Sequence, residues 1–132
     1  MMTKEEKLAN WNESSPFNVH NNIVIEDFSE GKSVVTGELN TEALNPAGMA
    51  HGGFVYSLCD VAAGISARSL GHNKFTTLSS SIYFMHPSKG TRLRAEGEVV
   101  KNGRNVIVSD VSVYDDTGKM TAKGVFEVFV LE

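Results

Sequence analysis

The run His51-Gly52-Gly53-Phe54-Val55-Tyr56-Ser57-Leu58-Cys59-Asp60 sets two glycines at the start of a helix-like segment. A single acid follows eight residues after the first of them. The first amides of a helix have no intrahelical partner, and the helix dipole leaves partial positive charge there. Glycines at that end remove side chains that would keep a ligand from those amides. Such an end can polarise a carbonyl and stabilise a developing oxyanion. The same glycines equally suit a tight entry into the helix, and the residue types alone leave both readings standing. Asp60 offers the complementary chemistry: a carboxylate packed at a dry interface gains basicity and can act as a general base or nucleophile.

The neighbours of Asp60 add to this. On a helix over residues 52–69, advancing 100° per residue, Phe54, Val55, Leu58, Val61, Ala62 and Ile65 fall within about 120° of one another. That stripe suits a sheet. Asp60 lies roughly 155° from its centre, beside Tyr56, Ala63, Gly64 and Ala67. A solvent face would be rich in Lys and Glu, so small residues there imply a second surface packed against the back of the helix. A plain surface acid beside alanines is the alternative. Gly52 and Asp60 stand about 12 Å apart along one axis, yet an oxyanion donor and a base must each lie about 3 Å from one reacting group. If both act on one substrate, they come from two antiparallel helices in two chains. The chemistry therefore predicts a two-fold dimer with two equivalent interface sites.

The elements that would position these groups follow from local patterns. Residues 3–13 can form a short helix, with Thr3 as N-cap and Glu6 at capping-box spacing. Two strands, about 22–28 and 32–39, turn at Glu30-Gly31-Lys32. After the long helix, residues 74–87 read as a β-branched, aromatic and hydroxyl-rich strand closed by Pro87, with small Ser79, Ser80 and Ser81 near the helix. Three more strands follow, turning at Asn102-Gly103 and at Asp116-Thr117-Gly118. In residues 106–113 both alternating registers carry apolar side chains, which implies cover on both faces in places. The order helix, two strands, long helix, four strands is an α+β domain with an antiparallel sheet and one dominant helix. One domain over 1–132 is expected, with residues 1–20 as an N-terminal helical segment.

The totals exclude several classes. A net charge of −4 gives no basic stripe for nucleic acid. One cysteine, Cys59, excludes an intramolecular disulfide framework and fits a reducing compartment. No apolar run approaches the roughly 20 residues that cross a bilayer, and the N-terminus lacks a signal-peptide core. A cytoplasmic protein with no membrane partner is expected.

The stretches from Asn45 to Asp60, from Phe75 to Pro87 and from Lys101 to Arg104 resemble the hotdog-fold acyl-CoA thioesterases. The branch they are most similar to is the phenylacetate-degradation (PaaI-like) type, with its Asn-x-x-Gly-x-x-His-Gly-Gly and later Asp. The resemblance covers residues from about 20 to the C-terminus. It implies a long central helix wrapped by a curved antiparallel sheet, paired protomers and often a dimer of dimers. It implies hydrolysis of an acyl-CoA to free acid and coenzyme A with no metal or redox cofactor. Asp60 would be the base or nucleophile, the Gly52 amide would polarise the carbonyl, and His51 and Gly53 would shape that turn. Asn45 would hold substrate or water, and Thr77 would orient water. Lys101, Asn102, Gly103, Arg104, Asn105 and Val106 would meet the nucleotide end of coenzyme A.

On residue chemistry alone that last turn suits phosphates through two cations and free amides, but also reads as an ordinary solvated hairpin. Lys89 and Arg92 are weaker basic candidates. His20, His51, His72 and His86 show no metal spacing. Cys59 reads as a small buried hydrophobe rather than a nucleophile. Trp11 and Phe17 read as packing for the N-terminal segment, which could cover an acyl pocket. No glycine loop for nucleotide phosphates is present. Two other functions remain as alternatives: a non-catalytic acyl-CoA-binding module, and a hotdog hydratase or dehydratase. The module has no need of Asp60. The hydratase pairs its acid with a His at a spacing this sequence lacks.

Overall fold

The computed structural model describes all residues, 1–132. Helix α1 (Lys4–Glu13) begins at a complete capping box. Glu6 N–H donates to Thr3 Oγ1, and Thr3 N–H donates to the Glu6 carboxylate. A second short helix, α2 (Pro16–His20), follows it. Ser15 caps its first turn and Pro16 opens it, a start signal that fits proline's fixed φ and missing N–H. Strands β1 (Ile23–Ser29) and β2 (Lys32–Glu38) form the first hairpin, with Gly31 at φ +76° in its turn. Helix α3 (Gly52–Arg68) precedes β3 (Phe75–Phe84), β4 (Arg92–Asn102), β5 (Val106–Tyr114) and β6 (Met120–Val130).

The six strands make one antiparallel sheet in the order β1-β2-β4-β5-β6-β3, curved around α3. Ile107, Ser109, Val111 and Val113 are the β5 register that faces the helix, and all are fully buried. The other register of β5 is half-buried. Phe54, Val55, Leu58, Ala62 and Ile65 of α3 join this core, while Val61 is only half-buried. Curvature extends the buried arc beyond a flat sheet's reach. Ala63 enters the same core, and Ala67 packs with Ile107, Val128 and Val130. The sheet of the same chain therefore supplies much of the surface expected behind the helix.

One glycine sets how close α3 approaches. A Cβ at Gly97 of β4 would stand 2.6 Å from Ser66 Oγ and 2.8 Å from both Ala62 O and Ser33 Oγ. Those groups are a buried knot: Ser33 Oγ donates to Ala62 O at 2.6 Å and lies 2.9 Å from Ser66 Oγ. Gly97→Ala overpacks this contact and is expected to destabilise the fold by about 1–3 kcal/mol. Equilibrium urea unfolding reads this as a lower midpoint at unchanged slope, and a loss below about 0.5 kcal/mol contradicts the account.

The exposed edge is β3. It runs antiparallel beside α3, so the start of the strand meets the end of the helix and the end of the strand meets the helix start. Phe75 meets Gly64, Thr77 meets Asp60, Ser80 meets Tyr56 and Phe84 meets Gly52. A bulge between Thr77 and Ser79 shifts the alternation. Thr77, Ser80 and Phe84 consequently face the helix, while Ser79 turns outward and bonds to Glu127. Of the three serines expected near the helix, only Ser80 contacts it.

Candidate active site

The loop before α3 is braced on both sides. Asn45 N–H donates to Met49 O, Ala50 N–H to Ser88 O, and His51 N–H to Ala43 O. The Asn45 side-chain oxygen accepts from Ala47 and Met49 N–H at 2.9 and 3.1 Å, leaving its amide NH2 uncommitted. This holds the helix end in place. His51 is the N-cap, with its Nδ1 accepting from Gly53 N–H at 2.8 Å. Phe54 and Val55 N–H both donate to His51 O. The Gly52 N–H alone among these amides has no acceptor in the chain. A Cβ at Gly52 would meet only the Phe84 ring, at an ordinary 3.7 Å, so packing within the chain does not demand glycine there.

Asp60 lies two turns further along α3, half-buried. Thr77 Oγ1 donates to Asp60 Oδ1 at 2.5 Å. The threonine proton is thus committed to the acid, and its lone pairs stay available to accept from water. The other carboxylate oxygen has no partner in the chain. Two separate groups of candidate residues result. Gly52 and Asn45 belong to the N-terminal end of α3, whereas Asp60 and Thr77 form a unit about 12 Å along the axis.

Asp60 and Thr77 open on a cavity of about 690 Å3 between α3, the start of β3 and the N-terminal segment. Trp11, Phe17 and Asn18 form its outer wall, so the segment does cover a pocket beside the acid. Asn12 ties that wall to β1 through two bonds with the Ile25 backbone, at 2.8 and 3.0 Å. Arg68 also lines the cavity and drew no attention in the sequence. It sits eight residues beyond Asp60 and about 80° around the helix from it, on the flank between the acid and the apolar stripe, a placement the helical period could have shown.

The Lys101–Val106 turn joins β4 to β5, closed by Gly103 N–H donating to Val106 O at 3.1 Å. Lys101 and Arg104 are exposed and make no ion pair. Asn102 Oδ1 instead lies 3.0 Å from His72 Nε2, and Asn105 O accepts from Val130 N–H. Arg92 is occupied by Glu26 at 2.9 Å. No three His, Cys, Asp or Glu side chains come together as a metal-binding cluster. No helix is long and apolar enough to cross a membrane.

Cys59 adjoins Asp60 in sequence but points into the core, fully buried. Burial, with the Asp60 charge beside it, pushes its thiol up to about 12. A thiol so held carries almost no thiolate near neutrality and is no nucleophile. Iodoacetamide at pH 8 is expected to leave the folded protein unlabelled and to label Cys59 once by mass in denaturant. Labelling of the folded protein within minutes contradicts this.

Comparison with known proteins agrees with the geometry. Residues 47–122 match the family described as Thioesterase superfamily. A protein of Saccharolobus solfataricus, named for a proposed esterase activity, is 30% identical over 102 residues, covering 76% of this chain and 68% of its own. A hypothetical thioesterase protein from Streptococcus pneumoniae, solved with coenzyme A, is 37% identical, with a TM-score of 0.78 over 83% of this chain and 89% of that one. The E. coli PaaI protein from the phenylacetic acid degradation operon superposes at a TM-score of 0.89 over 98% of this chain and 94% of that one, at 24% identity. That superposition shows the fold, a hotdog: one long helix wrapped by a curved antiparallel sheet.

Proposed function

The chain belongs to the thioesterase superfamily and is a thioester hydrolase, and we propose that it cleaves acyl-CoA at two equivalent sites, each shared between two protomers. The observation that carries this is the split of the reactive groups along α3. The free Gly52 N–H and the Thr77-held Asp60 lie on one helix, too far apart for one carbonyl. A second copy supplies the missing half.

The exposed edge of β3 offers the means. Its unpaired backbone groups and the exposed side chains of Leu78, Tyr83 and Phe84 are a template for another strand. Antiparallel pairing of two β3 edges about a two-fold axis sets two α3 helices side by side, running oppositely. Gly52 of one then meets Asp60 of the other if the axis passes midway between them, at the level of Tyr56. Tyr56 contacts Ser80, so β3 pairs with its copy about Ser80. Two such dimers associating through a further face would give a tetramer.

In the proposed reaction the thioester carbonyl oxygen accepts from Gly52 N–H, with the Asn45 amide close by. Asp60 of the other protomer either takes a proton from water as that water attacks, or attacks the carbonyl itself. Direct attack expels the coenzyme A thiolate and leaves a mixed anhydride, which water then opens to the free acid. Thr77 holds the carboxylate in place on either route. Lys101 and Arg104 neutralise nucleotide phosphates, with the turn amides assisting. The reading requires no metal or redox cofactor, and Cys59 as a free thiol fits action in the cytoplasm.

Thiol release from short, medium and aromatic acyl-CoAs tests the activity, alongside sedimentation to read a mass of at least twice 14.3 kDa. Tight acyl-CoA binding without thiol release would assign a binding module instead. A product with the thioester intact would assign a hydratase.

A further inference from the structure

The cavity beside Asp60 holds a single cation, and nothing in the chain neutralises it. Arg68 closes α3 eight residues beyond Asp60, about 12 Å along the axis. Its guanidinium lies 5.7 Å from the centre of the Trp11 ring and 5.2 Å from that of Phe75. The ion pairs of the chain use Lys4, Lys32, His72, Arg92 and Arg94, and the Arg68 guanidinium makes no hydrogen bond either; its backbone carbonyl accepts from Gly71 N–H. All its N–H donors are therefore uncommitted, on a half-buried side chain whose plane two aromatic rings hold. Asp60 and Arg68 are the only charged side chains lining the cavity. Between them the wall is apolar or hydroxyl-bearing, with Val61, Gly64, Ile65 and Thr76.

Resting on the reading that Asp60 acts on a thioester carbonyl, we infer that Arg68 binds an anionic group of the substrate, carried at the far end of a short acyl chain. An acyl chain leaving the carbonyl along α3 crosses the apolar stretch and meets the guanidinium within two helical turns. A planar fork with no acceptor of its own matches a carboxylate bidentately, and the flanking rings exclude water from that contact. The long pantetheine arm carries the first phosphate of coenzyme A beyond this span. A phosphate is nonetheless the other source of the same chemistry, and the experiment separates the two.

Three substrates suffice: adipoyl-CoA, hexanoyl-CoA, and the hexanoyl thioester of N-acetylcysteamine, which has no phosphate. The first two match in length and differ by a terminal carboxylate. In Arg68→Gln, the ratio of kcat/KM for adipoyl-CoA over hexanoyl-CoA is expected to fall at least tenfold, and Arg68→Lys to recover part of it. A fall confined instead to the ratio of hexanoyl-CoA over the N-acetylcysteamine ester keeps the anion site and assigns it to a phosphate. Both ratios staying within twofold, with thermal midpoints showing folded variants, overturns the inference while the hydrolase reading stands. If the native protein hydrolyses none of the three but releases thiol from an aromatic acyl-CoA, the inference falls and the hydrolase reading stands; release from none of these sinks that reading. The same ligands titrated calorimetrically against Asp60→Asn and the double variant Asp60→Asn/Arg68→Gln, where turnover is suppressed, then read the Arg68 effect as ratios of Kd.

Discussion

Asp60→Asn is expected to lower kcat for acyl-CoA hydrolysis by about 10²–10⁴-fold, the range set by losing a positioned base, while coenzyme A binding persists. The substitution is close to isosteric. Thr77 Oγ1 can still donate, now to the amide oxygen, so the bond that orients the side chain survives. Asp60 is half-buried with no ion pair, so the fold loses little when the charge goes. The loss of rate is therefore expected with a thermal midpoint near that of the native protein. Both routes, general base and nucleophile, need the carboxylate and give the same result. Turnover within tenfold of native removes Asp60 from its role.

Gly52→Pro is the matching deletion at the other half-site, expected to lower kcat by about 10²–10³-fold, as for loss of one oxyanion donor. Proline takes away one N–H, and Gly52 N–H is the amide with no acceptor in the chain. Position 52 is the first of the helix, where proline's φ is already suited. His51, at φ −64° and ψ 137°, has the extended geometry that a residue before proline adopts. The Cβ meets only the Phe84 ring at contact distance. Stability is expected to hold, so a fall in rate reports the missing donor. An unchanged kcat in a folded variant refutes the oxyanion role.

Together these two variants test the shared site. Unfolded and refolded as an equal mixture, Asp60→Asn and Gly52→Pro chains pair at random. Each mixed dimer then holds one site with both groups intact and one with neither. Recovery of about a quarter of native activity is expected from half the dimers carrying one good site each. Inactive parents giving an inactive mixture would place both groups in one chain's site.

Much of this architecture is legible in the residues because it is local. The capping box at Thr3 and Glu6, the helix from Gly52, and the hairpins at Gly31 and Asp116–Gly118 depend on neighbours within a few positions. The helical period put Gly52 and Asp60 on one rod, and the fixed rise alone separated them by about 12 Å. The short helix at Pro16–His20 is also local, and its Ser-Pro start is visible once sought.

What the residues could not decide is what meets across space. Strict alternation along β3 puts Ser79 and Ser81 toward the helix, but the bulge after Thr77 puts Ser80 and Phe84 there instead. The glycine that keeps a free N–H depended on the His51 ring folding back onto Gly53 rather than Gly52. Whether Arg68 had a partner turned on the placement of Trp11 and Phe75 around it, with no acid alongside. Spacing and period are properties of a chain segment, set by bond geometry, so the sequence by itself determined the helix, its two reactive positions and their separation. Which side chains occupy the remaining space is set by sheet curvature and strand register, which sum long-range packing over the whole chain. Only the tertiary structure therefore decided which amide stays free, which hydroxyl holds the acid and which cation waits at the end of the cavity.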